Sequence, residues 1–129
     1  MSDLSNYLEN ELYDHVLRNA AYTSPTTVYV ALFTAVTDAE AGTGTEVAVS
    51  GYARQAVTMG APTNGAGSNT AAVTFGPLSS TGTATHAALF DAATAGNALT
   101  AIKALSASKA WTANDSIEFA IGDLDFSLA

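Results

Sequence analysis

Thr26–Thr34 reads TTVYVALFT, and seven of its nine residues are β-branched or aromatic. Such side chains fit a pleated, packed surface. Val28–Phe33 has no polar break, which predicts a strand covered on both faces. Pro25 biases Ser24 away from helix, so whatever precedes it ends there. The composition after the run, over Asp38–Gly51, is that of turns. This stretch is therefore read as the central strand of an all-β domain, with its residues assigned to core rather than to a site.

Upstream, the spacing changes. Leu4, Leu8, Leu12, Val16 and Ala20 recur every four residues, and Tyr7, Tyr13 and Leu17 widen the stripe. That pattern predicts one amphipathic helix over Ser2–Ala20, capped by Ser2 or Asp3. Asp14 and Arg18 stand one turn apart in the favourable order, as do Glu11 and His15. The stripe must cover something. Packing on the helix's own domain is the plainer expectation. Docking on a neighbouring subunit is the sharper one, with Leu4, Leu8, Leu12 and Val16 as candidate contacts.

Downstream, apolar spacing falls to two. Ala35–Gly51 reads as a long loop, Tyr52–Met59 as a half-exposed strand, and Gly60–Thr70 as a second loop with the turn pair Asn64-Gly65. Ala71–Phe75 is a short strand stopped by Gly76 and Pro77. Thr83–Phe90 and Ala98–Ser106 flank the turn-like Asp91–Asn97. Ala110–Asp115 is a further turn. In Ser116–Leu128, Ile117, Phe119 and Ile121 are expected on one face, Leu124, Phe126 and Leu128 on another, with Gly122 a bulge or corner between them. No internal repeat is visible. The expected fold is mainly β: a single antiparallel β-sandwich, jelly-roll-like, with one N-terminal α-helix. Residues 1–24 form the helix and lead-in, and 25–129 the β domain.

Composition narrows function. A chain of 129 residues fits one domain. It buries roughly two-thirds of its unfolded surface and needs no metal or disulfide to fold. The absence of cysteine removes disulfides, thiolate zinc sites and thiol catalysis. Four Lys/Arg stand against twelve Asp/Glu, so no cationic stripe for nucleic acid is expected. The first residues are polar and acidic, without the basic and apolar regions of a secretory signal. No apolar run approaches membrane-spanning length, so no membrane partner is expected. Only 12% of residues are charged, which suits close packing between subunits.

The chemistry-bearing residues form no familiar set. Asp38, Glu40 and Glu46 lie in a Gly-rich loop, but their spacing matches no EF-hand. His15 and His86 belong to no zinc spacing, and no serine sits in a nucleophile-elbow context. Asp123 and Asp125 share a strand face near an edge, where acids commonly block pairing. Trp111, Tyr52 and Tyr22 would make a sugar-stacking platform only if they met on one exposed face. No catalytic residue, metal or cofactor is expected.

Four blocks carry a family likeness. The opening SDLSNYLENELYDHVLRNAAYTSPTTVYVALFT, then GYARQAVTMGAPTNG, then THAALFDAATAGNAL and FAIGDLDFSLA, run in order over nearly the whole chain. Together they resemble small structural proteins of tailed bacteriophages often labelled tail fibre proteins. The resemblance implies a non-enzymatic, β-rich virion protein, assembled in the host cytoplasm. It implies other virion proteins as partners, either the major capsid protein or tail components. It supplies no site residues. A compact domain without repeats or heptads does not by itself build an extended fibre. Capsid decoration, or cement, is therefore placed slightly ahead of a tail-fibre role. A receptor- or carbohydrate-binding module is the alternative, and a wall-degrading enzyme a more distant third. A homo-oligomer is expected, with a trimer the leading arrangement.

Overall fold

The computed structural model of the chain describes residues 3–128. Its centre is β1 (Val28–Asp38), a strand longer than the run that announces it. β1 bonds on one edge to β6 (Gly82–Phe90), with Val30 opposite Leu89 and Leu32 opposite Ala87. Its other edge is shared in tandem. β3 (Gln55–Val57) pairs the first half, and β2 (Thr43–Glu46) pairs the second. β7 (Lys103–Trp111) adds to the far side of β6, giving a five-stranded antiparallel sheet.

Two smaller ladders complete the β structure. β5 (Val73–Leu78) pairs β8 (Asp115–Phe119), and β4 (Ala66–Ser68) pairs β9 (Asp125–Ser127). Burial alternates along β5 and β8, so Val73, Phe75, Ile117 and Phe119 all turn inward. They meet Val30, Leu32 and Leu89 from the large sheet in the main core. The chain is thus an antiparallel β-sandwich with a single helix, α1 (Asn6–Leu17), among the described residues.

The opposite face of the large sheet is also covered. Ala31, Phe33, Ala88 and Phe90 pack there with Ala98 and Ile102 from the segment after β6. The rings of Phe33 and Phe90 stack with centroids 6.2 Å apart. This second, smaller core is why Val28–Phe33 tolerates no polar residue. Each large side chain buried in it stabilises by about 1.5–3 kcal/mol.

Several boundaries differ from the sequence reading. The helix is shorter than Ser2–Ala20 at both ends. Ser5, not Asp3, is its N-cap, and the hydroxyl accepts from the Leu8 N–H at 3.1 Å. The Ser2 cap lies outside the described residues. Ala35–Gly51 is not all loop, because β1 runs on to Asp38 and β2 returns beside it. Gly60–Thr70 likewise contains β4. Gly76 and Pro77 do not stop β5; the ladder slips register between Phe75 and Leu78, and a slipped register accommodates a residue without an N–H. Ala98–Ser106 splits, with Ala98–Ile102 covering the sheet and β7 beginning at Lys103. Ile121 is exposed and not on the face of Ile117 and Phe119, because the chain leaves β8 at Ala120 for a turn through Gly122, where φ is +84°.

Candidate functional site

The first turn of α1 is fastened from several sides. Ser5 is buried, and its hydroxyl donates to the carbonyl of Ala98. Its N–H donates to Leu99 O at 3.2 Å, and the Asn6 N–H donates to Glu40 O at 2.9 Å. Just before it, Leu4 bridges Thr100, and Asp3 accepts from Lys103 Nζ at 2.8 Å. Lys103 and the Ser127 hydroxyl hold the Asp3 carboxyl below its usual range.

The helix then turns its apolar residues away from the domain. Tyr7 and Leu8 rest against the main core, and Leu12 is half-buried. Tyr13, Val16 and Leu17 are 59%, 71% and 66% exposed. The cause is geometric. A four-residue repeat advances about 40° around a 3.6-residue helix at each step. The stripe that starts against the core at Leu8 therefore reaches solvent at Val16. Leu4 precedes the helix, Leu8 rests on the core, Leu12 is half-buried and Val16 is exposed, so the four do not form one exposed surface. Tyr13, Val16 and Leu17 do form one exposed surface, and Glu9 stands one turn before Tyr13 on the same side.

A second feature lies on the sheet edge. Between the pairs Ala84↔Lys109 and His86↔Ala104, β7 carries surplus residues that face no β6 partner. The resulting bulge opens a groove of about 340 Å³ between β7 and the β8–β9 segment. Leu105, Phe119, Leu124 and Phe126 give it apolar walls, Lys103 and Lys109 stand on the β7 side, and Asp123 and Asp125 on the other. Lys109 Nζ sits 5.1 Å from the centre of the Phe119 ring. No residue of α1 lines this groove.

The acidic loop residues are engaged elsewhere. Glu46 accepts from Arg54 Nε and Nη2, both at 2.9 Å, and from the Tyr52 hydroxyl at 2.7 Å. The Leu32 N–H donates to that hydroxyl oxygen at 3.0 Å. Burial, reinforced by the bond to Glu46, pushes the Tyr52 phenol well above its usual pKa. Asp38 accepts from the Ala41 N–H and closes its own turn. Among the described residues, no group of three or more His, Asp or Glu is placed to hold a metal ion.

The remaining candidates stay apart. His15 Nδ1 contacts Ala20 O at the end of α1, while His86 Nδ1 contacts the Thr85 hydroxyl on β6. Asp123 accepts from the Ala120 N–H, closing the turn after β8. Trp111 is buried and donates from Nε1 to Ser80 O, and Tyr52 stacks on Phe75 at 5.8 Å. The aromatic platform of Trp111, Tyr52 and Tyr22 is therefore not assembled. No helix among the described residues is long and apolar enough to cross a membrane.

One buried residue escaped the sequence reading. Asn69 is 1% exposed, and its side chain donates to Ala71 O and Ala120 O and accepts from the Leu124 N–H. It joins the end of β4 to the chain between β8 and β9. In sequence it looks like one more polar residue in a Gly-rich loop.

No curated protein matches the chain. A family profile, described as podophage GP4 fiber I protein gp80, matches residues 3–127. With nearly every residue of the β-sandwich and its helix inside that match, the chain belongs to this phage fibre family and is a structural protein of the virion.

Proposed function

We propose that the chain is a non-enzymatic component of the phage tail fibre or its attachment, present in several copies and held to its neighbours through α1. The observation that carries this is the exposed face of Tyr13, Val16 and Leu17, at the far end of a helix whose first turn is hydrogen-bonded to its own domain. Large apolar residues grouped in this way mark interaction surfaces. The family description supports the fibre position. Capsid decoration is the second reading, favoured by the compact sandwich and the absence of repeats or heptads. In either position the partners are other virion proteins, and the copies form a homo-oligomer with a trimer as the leading arrangement. Assembly takes place in the host cytoplasm.

The test is localisation in the particle. Virions carrying a small epitope inserted at the exposed turn Thr112–Asn114 are labelled and imaged. Label at the tail supports the fibre reading. Label over the whole head supports decoration. Purified virions that lack the chain would overturn both.

A further inference from the structure

We propose that the β7 groove receives the exposed face of α1 from a second copy of the chain, in a head-to-tail contact. This rests on the reading above that the protein is multicopy. It adds which two surfaces meet.

Charge selects the occupant. Of the four cations, Arg18 pairs with Asp14, Arg54 with Glu46 and Lys103 with Asp3. Among the described residues Lys109 is the cation without an ion pair, and it stands in the groove over the Phe119 ring. The groove therefore offers apolar walls and one available ammonium, on a chain whose formal net charge is −8. The exposed face of α1 offers the complement. Tyr13, Val16 and Leu17 follow Glu9 at i+4, i+7 and i+8, the spacing of helix-in-groove anchors. Among the described residues, Glu9 has no cation partner.

The helix of the same chain cannot be the occupant, since none of its residues lines the groove. A symmetric contact with the two helices parallel would set Glu9 of one copy against Glu9 of the other, and like charges across an interface are unfavourable; an antiparallel pair would leave Lys109 and the groove unused, which the Lys109→Glu variant tests. A helix-to-groove contact uses two different patches. It closes into a ring if its rotation closes, and a trimer is one such ring.

The test uses the purified full chain, so it is independent of where the virion carries it. Native mass spectrometry and sedimentation report the oligomer. Val16→Asp with Leu17→Asp removes the helix face and leaves the groove. Lys109→Glu damages the groove and leaves the helix. Each is expected to weaken self-association at least about tenfold, roughly the effect of losing one good charged contact. Mixing the two is expected to give a heterodimer that grows no further, because the mixture has only one intact helix–groove pair. Combining Glu9→Lys with Lys109→Glu in one chain is expected to restore association, which misfolding of either single variant could not mimic. A wild-type chain that stays monomeric at 100-fold the working concentration overturns the proposal. So does a Lys109→Glu chain that assembles normally while the helix variant does not, as a symmetric helix contact would require.

Discussion

The Arg54 guanidinium lies 3.9 Å from the centre of the Phe90 ring while its Nε–Nη2 edge grips both oxygens of the Glu46 carboxylate. Its third nitrogen donates to Ala92 O and Ala95 O. One side chain thus ties the segment before β3 to the end of β2, to the outer core and to the turn after β6.

Arg54→Met should therefore loosen that turn as well as lower stability. Breaking a mostly buried pair costs about 3–5 kcal/mol, less where one partner meets water. Glu46 is 28% exposed, so about 2–3 kcal/mol is expected. Hydrogen exchange should quicken over Asp91–Asn97. Arg54→Lys should recover little, because an ammonium cannot hold the carboxylate with a planar fork. Unchanged exchange in that turn would separate it from Arg54.

Asn69→Ala should be among the more damaging single changes. It leaves the buried Leu124 N–H without its acceptor and removes the donor that ties Ala71 O and Ala120 O together at the part-buried rim of the site. Orphaned groups cost about 1–3 kcal/mol each, so a total of about 3 kcal/mol is expected with partial relaxation. For a domain of this size that is a fall in Tm of roughly 10 °C. Asn69→Asp should do no better, since it sets a carboxylate against two carbonyl oxygens.

Legibility in the sequence tracked the range of the interaction. The run Val28–Phe33 announced a strand buried on both faces because every residue in it carries the signal. The helix was visible for the same local reason. What the spacing could not say was where the helix leaves the domain. The Ser5 cap depends on carbonyls from Ala98 and Leu99, far along the chain. Asn69 and the β7 groove were hidden for a related reason. Their partners, Leu124 for one and Phe126 for the other, are brought close only by the fold. The phage likeness was legible because it runs along the chain in order.

The Asp3–Lys103 pair predicts a small acid-side loss of stability. The folded-state pKa of Asp3 is depressed below 3.8 by the bonds from Lys103 and Ser127. A depressed carboxylate stabilises fully above its unfolded pKa and loses that contribution as pH falls through the folded value. The two side chains are 37% and 21% exposed, so screening limits the effect to about 1 kcal/mol. Asp3→Asn should melt below the wild type at neutral pH, and the gap should close below about pH 4. A gap that persists unchanged at low pH would assign it to something other than the ion pair.

Chelator should leave the melting temperature where it is. Two of the three acids between Asp38 and Glu46 already have protein partners, with Glu46 on Arg54 and Tyr52, and Asp38 on the Ala41 N–H. A metal would have to displace those bonds. A large fall in Tm on adding EDTA, reversed by Ca²⁺, would contradict this.

Leu8 and Val16 should behave as opposites although they belong to one four-residue repeat. Leu8 packs on the main core, so Leu8→Asp places a carboxylate against apolar surface it cannot leave without detaching the helix. The expected loss is about 2–4 kcal/mol, in the range of buried-charge substitutions. Val16 is 71% exposed, and Val16→Asp should stay within about 0.5 kcal/mol of wild type in dilute solution. Leu12, half-buried between them, should fall in between. Thermal melts at concentrations where the chain is monomeric read the folding effect alone. If Val16→Asp destabilised the monomer as much as Leu8→Asp, the far end of α1 would have to be covered by its own domain, and its exposed face would be lost as a docking surface.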